Sequence, residues 1–149
     1  RFILAIAENE VPSTKEPDPY MHIFLDAGQG NILAFFELPT KPEMGRDPNT
    51  PAWTQHLALQ VDTVDDLLET KARLEADGIE VVGPTDHTLF KSIYFFDPSG
   101  HRLELAANTG TPKMARMLDE VKWEMLNEWA QTRRAPKHAA WMHEKEFKG

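Results

Sequence analysis

The rhythm of apolar residues changes three times along the chain. Over the first 38 residues the apolar runs are short: Phe2 to Ala7, Met21 to Asp26 and Asn31 to Leu38. Between the first two lie Pro12, Pro17 and Pro19, which cannot donate to a sheet ladder and so predict a loop from Glu8 to Tyr20. Between the second and third, Ala27-Gly28-Gln29-Gly30 predicts a hairpin. Residues 39–54 hold four prolines and few apolar side chains, which reads as a linker.

From Gln55 the rhythm becomes regular. His56-Leu57-Ala58-Leu59-Gln60-Val61 alternates, so Leu57, Leu59 and Val61 share one face of a strand while His56, Ala58 and Gln60 share the other. Asp62 or Thr63 can cap a helix running to about Asp77, with Val64, Leu67, Leu68 and Leu74 on its buried stripe and Gly78 as a left-handed stop. Ile79 to Val82 predicts a short strand, turned by Gly83-Pro84, and Ser92 to Phe96 another. After the tight turn Asp97-Pro98-Ser99-Gly100, His101 to Ala107 is the last strand, with Arg102, Glu104 and Ala106 opposite Leu103 and Leu105. Residues 55–109 thus form one strand-helix-strand-strand-strand unit. Residues 1–38 match the last three strands of such a unit, an internal repeat of organisation. The first residues lie inside a strand and lack an initiator Met, which suggests further chain upstream.

Beyond Gly110, Met114, Met117, Leu118, Val121, Met125 and Trp129 recur at helical spacing in a charged segment, predicting an amphipathic helix that packs on the domain or on a partner. Pro136 ends it, and Lys137 to Phe147 can form a second short helix. Residues 110–149 are therefore a helical tail.

The net charge of −8 argues against nucleic acid and anionic membrane surfaces. The absence of cysteine excludes disulfides, thiolate metal sites and cysteine nucleophiles. No run reaches the roughly 18 apolar residues of a membrane span. A cytoplasmic protein acting on a small molecule is the expectation.

The candidate chemistry lies on two strands. A carboxylate in an apolar strand is costly to bury unless a cation or donors meet it, so Glu104 needs a partner. His56 lies on the first strand of the same unit. Imidazole and carboxylate from neighbouring strands suit Fe(II), Mn(II), Ni(II) or Zn(II), although a lone strand His is more often a structural residue.

Thr85-Asp86-His87, followed after five residues by Ile93-Tyr94-Phe95-Phe96-Asp97-Pro98-Ser99-Gly100-His101-Arg102-Leu103-Glu104, resembles the signature of extradiol ring-cleavage dioxygenases, the catechol type above all. Together with His56-Leu57-Ala58-Leu59, it resembles the vicinal oxygen chelate superfamily of glyoxalase I, bleomycin- and fosfomycin-resistance proteins and extradiol enzymes. The resemblance implies an α+β fold of paired βαβββ modules forming an open cupped sheet. The first module lacks its first strand and helix here, and the C-terminal helical tail lies outside the likeness. It implies His56 and Glu104 as ligands of a divalent metal, Fe(II) foremost, with Mn(II), Zn(II) or Ni(II) as alternatives. A third ligand would come from before Arg1, from Glu37 or from another chain. It further implies His87 as the proton-handling residue, Tyr94 as the group orienting a metal-bound oxygen, a substrate with adjacent oxygens, and a homodimer.

Two other readings stand beside the dioxygenase. Ala34-Phe35-Phe36-Glu37-Leu38 resembles the strand that supplies a Glu ligand in glyoxalase I, so Glu37 could serve a lyase or isomerase. The resistance proteins show that such a cup can also bind a small molecule without turning it over. Residue alternation puts His101 opposite Glu104, and His138 and His143, five apart, do not match helical metal spacing.

Overall fold

The computed structural model describes residues 1–148 apart from Glu43, Met44 and Arg46, all three in the expected linker, and apart from the side chain of Glu146. The chain divides into two compact units, Arg1–Asn49 and Thr50–Gly149.

The first unit is a three-stranded antiparallel sheet of β1 (Phe2–Glu8), β2 (Tyr20–Asp26) and β3 (Ile32–Glu37) in the order β1-β2-β3. The predicted hairpin joins β2 to β3, closed by the Ala27 amide donating to the Asn31 carbonyl at 3.0 Å. The proline-rich loop before β2 is tied to the segment after β3 through Asp18. Its nearly buried carboxylate accepts from Thr40 Oγ1 at 2.5 Å and pairs with Lys41 Nζ at 2.9 Å.

The second unit holds β4 (Leu57–Val61), α1 (Val64–Ala76), β5 (Val82–Asp86), β6 (Phe90–Phe96) and β7 (Arg102–Asn108). Its sheet runs β4-β7-β6-β5, with β4 parallel to β7 and the other pairs antiparallel. A parallel neighbour needs a crossover, and α1 supplies it. Thr63 caps α1: it accepts from the Asp66 amide at 3.1 Å, while Asp66 accepts from the Thr63 amide at 3.0 Å. Gly78, with φ of 81°, stops it as expected. The apolar stripe of α1 packs on one face of the sheet, where Leu67, Ile93 and Ala107 are fully buried among Val61, Val64, Leu74, Val81 and Leu105. This leaves the opposite face, that of Glu104 and Tyr94, free of α1.

One element departs from the expectation. The strand anticipated at Ile79 to Val82 instead runs Val82–Asp86, straight through Gly83-Pro84, which are joined by a cis peptide bond. Two features allow a proline there: β5 is an edge strand, and the pairing shifts register between Val82 and Thr85. Gly83 has φ of 111°, and a Cβ on it would lie 2.6 Å from the Ser92 carbonyl oxygen. Only glycine meets both conditions.

In the tail, α2 (Pro112–Thr132) is capped by Thr111 and ends at Arg133 in the left-handed region, ahead of Pro136. The expected second helix is a 3-10 turn, Lys137–His143, followed by the short α3 (Lys145–Lys148) with Phe147 fully buried. No helix among the described residues is long and apolar enough to cross a membrane.

Candidate active site

The site grows from side-chain alternation on β6 and β7. Tyr94 pairs with Glu104 across the ladder, and Ser92 with Ala106, so Ser92, Tyr94, Arg102 and Glu104 share the face that α1 leaves uncovered. Ala58 on β4 pairs with Glu104 from the other side, and His56 precedes that strand on the same face.

The side chains converge. His56 Nε2 lies 2.6 Å from Glu104 Oε2, with the His56 side chain 24% and that of Glu104 6% exposed. Glu104 Oε1 accepts from Ser92 Oγ at 2.5 Å and from Tyr94 Oη at 3.3 Å. His87, on the turn after β5, places Nε2 2.8 Å from Tyr94 Oη. A continuous polar path therefore runs from His87 through Tyr94 and Glu104 to His56. The costly buried carboxylate is met by an imidazole and two hydroxyls. Burial first, then the charge of Glu104, pushes the Tyr94 phenol above its ordinary value. The Arg102 guanidinium lies 4.3 Å over the Tyr94 ring.

Four of the five residues singled out from sequence thus come together. Glu37 is exposed at the end of β3 in the first unit. The β2-β3 and β6-β7 hairpins can be matched by their turns, because Ala27 donates to Asn31 as Asp97 does to His101. In this register Phe24 pairing with Ala34 matches Tyr94 pairing with Glu104. Ala34 then stands where Glu104 does, and Glu37 stands where Ala107 does, on the face that α1 covers in the second unit. His101 is exposed beside the Asp97 turn, and His138 packs on Trp141 with ring centroids 4.4 Å apart.

Sequence reasoning missed Ser92 and Arg102 as members of the site. Alternation alone would have found both, since each lies two residues from a singled-out residue on its own strand. Among the described residues, no group of three or more His, Asp or Glu side chains is arranged to hold a metal ion. The His56 and Glu104 pair supplies two donors, one imidazole and one carboxylate, of the kind a hard-to-borderline divalent ion takes.

The chain is similar over 84 residues, at 38% identity, to biphenyl-2,3-diol 1,2-dioxygenase 2 of Rhodococcus globerulus; the match covers 56% of this chain and 43% of that protein. The chain thus spans less than half the length of this curated relative. Among solved structures, a glyoxalase family protein from Bacillus cereus aligns with a TM-score of 0.57 at 15% identity, over 73% of this chain and 78% of that one. The fosfomycin resistance protein FosX from Listeria monocytogenes aligns with a TM-score of 0.47 at 22% identity, over 73% of this chain and 74% of that one. Residues 4–105 match the Glyoxalase/Bleomycin resistance protein/Dioxygenase superfamily, and the chain belongs to that superfamily.

Proposed function

We propose that the chain forms part of a metal-dependent ring-cleavage dioxygenase of the extradiol type, acting on a small substrate with adjacent oxygens. The observation that carries this reading is the unbroken path His87, Tyr94, Glu104, His56, which joins two metal donors to two groups able to hold and pass a proton. The likeness to a biphenyl-2,3-diol dioxygenase supports the same choice.

His56 and Glu104 would hold the ion, for which Fe(II) is the best candidate. When bound, such an ion supplies Lewis acidity toward vicinal oxygens and redox chemistry toward dioxygen. The protein's own groups do the rest. Tyr94, a phenol protonated at neutral pH, offers its hydroxyl to Glu104. With a proton on His87 Nε2, His87 donates to Tyr94 Oη and Tyr94 donates to Glu104 Oε1, giving the path a direction. Arg102 holds the Tyr94 ring from one side, and the edge of the His56 ring, with centroids 5.8 Å apart, steadies it from another.

The lyase or isomerase reading needs Glu37 as ligand or base. The matching registers of the two hairpins tell against it, because Ala34 takes the place that corresponds to Glu104. Anaerobic reconstitution with Fe(II), then addition of catechol and air, is expected to give a yellow ring-fission product, lost in His56→Ala and kept in Glu37→Ala. No product across a panel of catechols would reject the dioxygenase reading. Metal loss in Glu37→Ala would restore the lyase one.

A further inference from the structure

Among the described residues, Ser92 is the one fully buried polar side chain that touches the site, and the reading above gives it no task. Its hydroxyl donates to Glu104 Oε1 at 2.5 Å, and Tyr94 Oη reaches the same oxygen at 3.3 Å. His56 Nε2 meets the other oxygen, Oε2, at 2.6 Å. The carboxylate is therefore divided: Oε1 is tethered to β6 by two hydroxyl donors, and Oε2 is turned toward the imidazole. Ser92 itself has little freedom. It lies on an inner strand, its side chain has no exposure, and its carbonyl abuts Gly83 of the adjoining β5.

We infer that Ser92 is a positioning residue that commits Glu104 to offering a single oxygen, Oε2, to a cation shared with His56. The inference rests on the metal reading above. Its physical basis is that a hydroxyl donated to one carboxylate oxygen occupies a lone pair there and fixes the plane of the group, leaving the second oxygen as the free donor. The hydroxyl, rather than the bulk of the side chain, is what matters, so variants of equal shape separate the two.

The test uses Mn(II) alone as the probe, with free Mn(II) followed by electron paramagnetic resonance, and with circular dichroism and thermal melting to show that each variant folds. Ser92→Ala is expected to weaken Mn(II) binding about tenfold, within the range for partners that orient a ligand. Ser92→Thr keeps the hydroxyl and is expected to stay within about threefold of the parent, whereas the isosteric Ser92→Val falls with Ser92→Ala. Equal affinity in Ser92→Thr and Ser92→Val would overturn the inference, as would a folded Ser92→Ala that binds like the parent. A drop in melting temperature without any change in affinity would reduce Ser92 to a structural role and overturn it too. A parent protein that takes no Mn(II) would instead remove the metal reading, and this inference with it.

Discussion

Replacing Glu104 by Gln and, separately, by Leu divides what its charge does from what its hydrogen bonds do. The carboxylate meets Ser92 at 2.5 Å, His56 at 2.6 Å and Tyr94 at 3.3 Å, and its side chain is only 6% exposed. Gln has the same length, and its carbonyl oxygen can still accept from Ser92. What it loses is the charge facing His56, a side chain exposed enough to be rehydrated, so Glu104→Gln should cost about 1–2 kcal/mol of stability. Leu has no acceptor. It leaves the fully buried Ser92 hydroxyl unpaired, a penalty of about 1–3 kcal/mol, offset in part by the burial of its own methyls. Glu104→Leu should therefore be less stable than Glu104→Gln by about 1 kcal/mol. Metal binding should not distinguish them: both remove the anionic donor, and both should lose at least about 100-fold in Mn(II) affinity, beyond what a merely orienting partner costs. Urea denaturation followed by circular dichroism gives the stabilities, and Mn(II) titration gives the affinities. Parent-like affinity in Glu104→Gln would refute the carboxylate as a ligand. A Glu104→Leu protein more stable than Glu104→Gln would refute the claim that Ser92 depends on it.

Other substitutions probe the surroundings. Tyr94→Phe keeps the ring against Arg102 and His56 but breaks the path to His87; it should lower kcat for ring fission by about 100-fold or more while costing about 1 kcal/mol in a urea melt. Unchanged turnover would remove Tyr94 from the proton path. Gly83→Ala forces a Cβ to within 2.6 Å of the Ser92 carbonyl at a φ of 111°, so a loss of about 2–4 kcal/mol should show in its thermal melt. Leu67→Ala, at the centre of the core under α1, should cost about 2–4 kcal/mol by the same measurement, without altering Mn(II) affinity in the folded protein. Asp18 should give the first unit a pH signature. The Thr40 hydroxyl and then Lys41 hold its carboxyl below the ordinary 3.8, so the stabilisation is present above that value and is lost as pH falls through the lower folded one. Asp18→Asn should flatten this acid limb in a pH series of melts; an identical limb in both proteins would place its origin elsewhere.

How much of this was legible in the chain depends on how each element is encoded. The helix α1 could be read almost to the residue, because Thr63, Asp66 and Gly78 mark its ends by local chemistry and Leu67 and Leu74 mark its face. The convergence of His56, Tyr94 and Glu104 followed from strict alternation on β4, β6 and β7, which one residue of slippage would have reversed. Glu37 shows the limit. Ala34, Phe35 and Phe36 are apolar on both faces of β3, so no alternation revealed which face Glu37 takes, and the pairing register was needed to decide. The course of β5 through Gly83-Pro84 was also hidden, since a proline in a strand is tolerated only at an edge or a bulge, and both are properties of the assembled sheet. The 3-10 turn of the tail was hidden for a similar reason, because its pattern of apolar residues does not separate it from a short α-helix.

The Gly83-Pro84 dipeptide has a second consequence, for how the protein resists sticking to itself. An exposed sheet edge with regular donors and acceptors invites a foreign strand to add to it, and aggregates can grow from such a start. On β5 that regularity is broken, because Pro84 has no N–H to give and the ladder skips register between Val82 and Thr85. Gly83 of the same dipeptide lies against the Ser92 backbone carbonyl on the strand beside it. Protection of the edge and the close seating of β5 on Ser92 thus meet in a single short segment, so a change at Gly83 would be felt in both.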